Sequence, residues 1–192
     1  MPAREATMSD ETLLARFAKG DDAALAELAG RYESSLIGLA AGLLDGRLDL
    51  AHDAVQESWM RVIKYAKSFE GRSSFRTWMY RIVINRCKDL RDRRAKEPLA
   101  DESPPKIDES PLRLVAEHAL QQDVRAAIGL LPPATRLLLL LCYHQGLTHT
   151  QAAQVLDIPL GTLKSRLAAA LAQLRESLRD KETDHDTNAH TP

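Results

Sequence analysis

A chain of 192 residues accommodates one domain of ordinary size or two small ones, and its 44% apolar content is enough to bury a core. The formal net charge of −1 excludes a uniformly basic nucleic-acid coat, so any nucleic-acid surface has to be local. The two cysteines, Cys87 and Cys142, lie far apart and form no CxxC pair, which reads as two reduced thiols and not as a disulfide framework or zinc ribbon.

Glu5, Asp10 and Glu11 stand where a signal peptide would carry cations and then an apolar stretch, so no such peptide is read. The apolar run Leu137 to Cys142 is too short to cross a bilayer, and the expectation is a cytoplasmic protein with no direct membrane insertion. Composition and periodicity divide the chain into a helical domain over 10–94, a linker over 95–111, a second helical domain over 112–180 and a disordered polar tail over 181–192. Ala and Leu dominate, and period-two alternation is missing. The β-branched residues sit inside helix-period patterns, so the fold class expected is all-α.

In the first domain Gly20 reads as a helix stop, and Asp21 or Asp22 as the N-cap of a long helix ending near Leu44. The next helix, about Leu48 to Lys67, places Val55, Trp59, Val62 and Ala66 on one face and Asp53, Gln56, Glu57 and Met60 on the other. Asp53 and Glu57 are four apart, and like charges at that spacing cost an isolated helix about 0.2–0.5 kcal/mol. A basic partner would offset that cost; a solvated helix face is the alternative.

After a loop over Phe69–Ser74, a helix from Phe75 to Arg94 carries the apolar stripe Phe75, Trp78, Met79, Ile82, Val83 and Leu90. Arg76, Tyr80, Arg81, Lys88 and Arg91 are expected around its other side, with Arg86, Arg93, Arg94 and Lys96 adding charge and Arg72 just upstream. Cations near a helix C-terminus follow from the macrodipole, but this many, interleaved with aromatic residues, suit phosphate contacts and base stacking. The linker reverses the sign: Glu97, Asp101, Glu102, Asp108 and Glu109 stand against Lys106, among Pro98, Pro104, Pro105 and Pro111.

The second domain holds a helix-turn-helix pattern. Thr148 and Gln151 have capping-box spacing, and Ala152, Val155 and Leu156 give burial at i, i+3 and i+4. Ala153 is small enough for a close helix crossing, and Pro159 ends the first helix. The second helix buries Leu163, Leu167, Ala170, Leu174 and Leu178 and turns Thr162, Ser165, Arg166, Ala169 and Gln173 outward, with Lys164 on the flank. Small and basic residues at the N-terminal end of a second helix suit the major groove; an ordinary helical hairpin is the alternative. Cys142, His144 and His149 fit no common zinc spacing, adjacent His52 and Asp53 diverge on a helix, and no phosphate loop or nucleophile motif occurs. An enzyme, a metal site and a cofactor are therefore not expected.

Two motif clusters resemble one family. They are Asp53-x-x-Gln56-Glu57 followed by Phe69-x-Gly71-x-x-x-Phe75-Arg76-Thr77-Trp78-x-Tyr80-Arg81-Ile82-x-x-Asn85-x-Cys87-x-Asp89, and Leu131-Pro132, Arg136 and Gly161-Thr162-Leu163-Lys164-Ser165-Arg166-Leu167. In this order, over about residues 12–178, the chain is similar to the extracytoplasmic-function (group IV) sigma factors of bacterial RNA polymerase. The resemblance implies a transcription initiation factor whose partners are core polymerase (β′ clamp helices and β flap), promoter DNA and an anti-sigma factor. It assigns Asp53, Gln56, Glu57 and Met60 to polymerase docking. Arg72, Ser74, Arg76, Trp78, Tyr80, Arg81, Asn85 and Lys88 fall to the melted −10 element, and Thr162, Lys164, Ser165 and Arg166 to the −35 element. The linker matches the segment that runs through polymerase towards the RNA exit channel. The chain departs from the family at Gln151, where an acid is usual, and at Ala152, where a branched apolar residue is usual. Ala169 and Leu171 stand where arginines are usual, which weakens the expected phosphate grip of the recognition helix. A stand-alone helix-turn-helix regulator is the competing reading, since its second half would look the same.

Overall fold

A computed structural model of the chain describes residues 8–94 and 127–188, with side chains to Arg179. All regular structure among the described residues is helical, and the chain divides into two compact units, within residues 1–106 and 107–192. The linker over 95–111, the opening of the second domain to residue 126 and the last four residues lie outside the described part.

In the first unit, α1 (Asp10–Phe17) is capped by the Ser9 side chain, which accepts from the Thr12 amide at 3.2 Å. It ends at Gly20, whose φ of +101° only glycine adopts at no cost. Asp21 takes the N-cap position of α2 (Asp22–Leu43), but its carboxylate turns back to Arg16 at 2.5 Å instead of capping. Asp45 and Gly46, at φ of +56° and +82°, reverse the chain into α3 (Leu48–Tyr65). A 3₁₀ turn over Ala66–Ser68 and the loop to Ser74 lead into α4 (Phe75–Arg94).

The core is built from Leu13 and Leu14 of α1, Leu28, Leu36 and Leu39 of α2, Val55 and Val62 of α3, and Phe75, Met79, Tyr80, Val83 and Ile84 of α4. Phe75 is its centre. Its ring meets Tyr32 at 5.6 Å, Trp59 at 6.4 Å and Trp78 at 6.2 Å between centroids, and its amide donates to Glu11 Oε1 of α1 at 2.8 Å. The acid beside it, Asp10, accepts from Arg31 at 2.6 Å and from the Tyr32 hydroxyl, so the first turn of α1 is fastened to α2 and α4 together.

In the second unit residues 127–130 are helical, and Pro133 opens α5 (Pro133–Leu139), which widens into a π turn over Leu140–His144. There the Gln145 amide reaches the Leu140 carbonyl at 2.9 Å. The capping box of α6 (His149–Leu156) is formed as its spacing predicts: Gln151 N–H donates to Thr148 Oγ1 at 3.2 Å, and Thr148 N–H to Gln151 Oε1 at 2.9 Å. Asp157 sits left-handed at φ +54° and terminates the helix. Then α7 (Leu160–Asn188) begins, one residue before Gly161. It buries Leu163, Leu167 and Ala170, while Leu174 and Leu178 are half-buried.

The expected disordered tail is corrected in part: the backbone is helical to Asn188, eight residues into the 181–192 segment. Extending a formed helix adds a hydrogen bond per residue without a new nucleation cost, so lack of an apolar stripe does not end it.

Two outcomes follow from this packing. Glu11→Ala should lower stability by about 1 kcal/mol in urea unfolding, the usual worth of a cap, while Glu11→Gln, which still accepts from the Phe75 amide, should lose less. Burial pushes the Cys87 thiol up to about 12, against the pull of Arg86 and Arg91, and raises that of half-buried Cys142. Alkylation near neutral pH should therefore label Cys142 slowly and Cys87 only after unfolding, read by mass spectrometry.

Candidate nucleic-acid and partner interfaces

Two helices of the first unit present surfaces of different character. On α3, Asp53, Gln56, Glu57 and Met60 are all exposed, and Ile63 extends the same face by one turn. Ala51, Ala54, Val55, Ser58 and Val62 occupy the opposite face, and the buried Ser58 hydroxyl is satisfied by the Ala54 carbonyl at 2.6 Å. An exposed methionine at 61% and isoleucine at 41% beside two carboxylates form an apolar centre with an acidic edge, the composition of a docking surface.

A basic group already stands beside those acids. Arg86 Nη2 reaches Glu57 Oε1 at 2.6 Å, from a side chain only 8% exposed. This corrects the expectation that Arg86 adds to an exposed basic surface. It also means that reversing Glu57 to Lys would place a second cation against a buried guanidinium and test the fold as much as docking.

The start of α4 is shaped by its caps. Ser74 Oγ accepts from the Thr77 amide at 3.2 Å and pairs with the Thr77 hydroxyl at 2.9 Å, so the Ser74 hydroxyl is engaged in holding the helix end. Along α4, Arg81, Asn85 and Lys88 form an exposed stripe at i, i+4 and i+7, and Arg72, paired with Glu70 at 2.5 Å, is exposed upstream. Asp89 and Asp92 are also exposed on this helix, so the surface is basic without being purely so.

Tyr80 is a second correction. It was expected on the outer side with Arg76 and Arg81, but it is fully buried, its hydroxyl paired with Ser35 Oγ at 2.9 Å. Arg76 is half-buried, its guanidinium carbon 5.6 Å from the Tyr80 ring centre. A helix packed by α1, α2 and α3 together is buried over more than one stripe, and positions 80 and 86 fall within that wider face.

Between the end of α3, the loop and α4 lies an open cleft of about 470 Å³. Its walls include Arg61 and Tyr65 from α3, Phe69 and Arg72 from the loop, and Trp78 and Arg81 from α4, with the Phe69 and Trp78 rings 5.0 Å apart between centroids and tilted by 44°. Cations above an aromatic floor are what an unstacked base and its phosphate require. Arg61 and Tyr65 were not singled out in the sequence; their i, i+4 spacing in the last turn of α3 was the available signal. Glu11, which fixes the start of α4 from 64 residues away, left no local signal.

In the second unit Lys164, Ser165 and Arg166 are exposed on the first turns of α7, and Thr162 is half-buried. Ala169 is exposed further along, and Leu171 is half-buried. Among the described residues no three His, Cys, Asp or Glu side chains gather as metal ligands, and no helix is long and apolar enough to cross a membrane.

Residues 28–97 match the Sigma-70 region 2 family and residues 121–174 the Sigma-70, region 4 family. The ECF RNA polymerase sigma-E factor of Salmonella typhimurium is 30% identical over 186 residues, covering 91% of this chain and 94% of that one. The chain belongs to the extracytoplasmic-function sigma factors. Two solved structures share its fold at 24% identity. One is CnrH in complex with the cytosolic domain of CnrY, with a TM-score of 0.67 over 89% of this chain and 97% of that one. The other is the sigma factor RpoE in complex with the anti-sigma factor NepR from Bartonella quintana, with a TM-score of 0.63 over 81% and 96%.

As an ECF sigma factor the protein is a promoter-specific transcription initiation factor that binds RNA polymerase and promoter DNA. A stand-alone helix-turn-helix regulator would account for residues 121–174 and leave the match over 28–97 without a reason.

Proposed function

We propose that the three surfaces divide the work of initiation. The α3 face of Asp53, Gln56, Glu57 and Met60 docks the β′ clamp helices of core polymerase. The cleft and the outer stripe of α4, with Arg72, Trp78, Arg81, Asn85 and Lys88, hold the melted −10 strand. The first turns of α7, with Thr162, Lys164, Ser165 and Arg166, enter the −35 major groove, and the second unit also meets the β flap. Arg76 and Ser74 support the −10 reader, Arg76 beside Tyr80 and Ser74 as a cap. Residues 10–94 and 112–180 would then be the two functional domains, with 95–111 the tether between them.

The observation that carries this reading is the cleft itself, where cations line a contacting aromatic pair beside an exposed Arg81–Asn85–Lys88 stripe. The protein acts by binding alone, without an enzymatic step or cofactor, and it works in the cytoplasm where polymerase and promoters are. Because the RpoE relative of the same fold was solved with an anti-sigma factor, we infer that an inhibitor of that kind also restrains this chain.

Docking is tested by Asp53→Lys, which spares the Glu57–Arg86 pair. Affinity for core polymerase should fall about tenfold or more, since like charge meets the partner's cations; unchanged affinity in the folded variant would remove α3 from the interface. The DNA readers are separated on duplex and premelted promoter templates. Arg166→Ala should cost about 1–3 kcal/mol of duplex promoter binding, part of it recovered when the −10 region is already open. Asn85→Ala and Arg81→Ala should impair open-complex formation on both templates, because a lost contact to the single strand is not restored by melting. Recovery of these two variants on the premelted template would place strand reading elsewhere.

A further inference from the structure

We propose that Arg86 is a positioning residue for polymerase docking: buried in α4, it holds the Glu57 carboxylate on the exposed face of α3 in the place where a cationic partner meets it. The inference rests on the docking role given to that face.

Three observations carry it. Arg86 is 8% exposed at its side chain whereas Glu57 is 51% exposed, so the pair reaches from the interior to the docking surface. Among the described residues Arg86 Nη2 and Glu57 Oε1 bond to each other at 2.6 Å, and Arg86 Nε is buried with no protein acceptor. Asp53, one turn before Glu57, adds like charge, so without a cation the two carboxylates would push apart.

Two effects of Arg86 on a basic partner oppose each other. Its charge partly cancels that of Glu57 and weakens attraction; its bond orders Glu57 before the partner arrives. A partner cannot take Glu57 away from Arg86, because a buried guanidinium left alone is strongly disfavoured. It does not have to, since a carboxylate offers about four acceptor sites and Arg86 occupies one. The partner therefore adds to the existing pair. At a half-exposed carboxylate water screens the cancelled charge, whereas ordering a free glutamate side chain on binding weakens affinity by up to about tenfold. Ordering wins, and loss of Arg86 should weaken docking even though Arg86 lies behind the surface.

The test is core-polymerase affinity, measured for the full chain, of Arg86→Met, Arg86→Lys, Glu57→Gln, the Arg86→Met/Glu57→Gln double variant and Asp53→Lys, with thermal unfolding recorded for each. Arg86→Met should bind about three- to tenfold more weakly. Arg86→Lys should recover most of that loss, and the double variant should bind no worse than Glu57→Gln alone. A folded Arg86→Met of wild-type affinity, beside an impaired Asp53→Lys, overturns the positioning role and leaves the docking face standing. Additive losses in the double variant overturn it as well. If Asp53→Lys too binds as wild type, the docking reading itself has failed. Should Arg86→Met not fold, Glu57→Asp decides: it keeps the surface charge but falls one methylene short of Arg86. Affinity reduced to about that of Glu57→Gln supports the proposal, and wild-type affinity overturns it.

Discussion

The Phe75 side chain and amide bring together all the α-helices described in the first unit. Its ring touches Tyr32 of α2, Trp59 of α3 and Trp78 of its own helix, and its N–H is held by Glu11 of α1. A buried aromatic of this kind stabilises a core by about 1.5–3 kcal/mol through its area alone. Its position matters more than its size. Phe75 is the first residue of α4 and directly follows the loop that walls the cleft, so the surface proposed to read DNA starts from a residue tied to three other helices. A loop anchored at a packed helix start can stay open to solvent and still present its side chains in one arrangement, which is the preorganisation that binding a flexible single strand requires.

The arrangement also keeps two surfaces of different character, proposed to meet different partners, on adjoining helices without letting them merge. The acids and Met60 of α3 face one way, and the Arg81, Asn85 and Lys88 stripe of α4 another. Between them α4 buries a cation, Arg86, that neutralises part of the acidic face from behind instead of adding to the basic one. On these two helices the acidic and basic faces stay apart because Arg81 and Arg86 occupy different sides of α4.

Much of this was legible in the sequence, and the exceptions have physical causes. Period-3.6 patterning located α2, α3 and α4 because each has a buried side, and Thr148 with Gln151 marked the start of α6 because a capping box is a local device. The exposure of Asp53, Gln56, Glu57 and Met60 was readable because α3 has one clean outer face. For α4 the same reasoning drew the apolar stripe too narrow. Trp78 and Ile82 proved half-buried at the cleft, while Tyr80, Ile84, Arg86 and Cys87 are buried against neighbours the local pattern does not reveal. Arginine is read as a surface residue by default and the tyrosine hydroxyl needs a polar partner when buried; the tertiary partners Glu57 and Ser35 contribute to satisfying them here. The hold of Glu11 on Phe75 spans 64 residues and has no periodicity to betray it.

Burial of Tyr80 bears on how relatives of this protein are to be grouped by target sequence. Position 80 sits in the middle of the motif proposed to read the melted strand, close to exposed Arg81 and half-buried Trp78. Yet its ring lies in the core and its hydroxyl answers to Ser35 of α2. Exchange of tyrosine for phenylalanine there, matched by a small apolar residue at 35, would alter packing and leave the exposed Arg81–Asn85–Lys88 surface as it is. Variation at 80 should then track variation at 35, as co-inherited core positions do, and carry no information about the promoter. A recognition code fitted to the whole motif would mistake that covariation for base preference; one fitted to positions 72, 81, 85 and 88 would not.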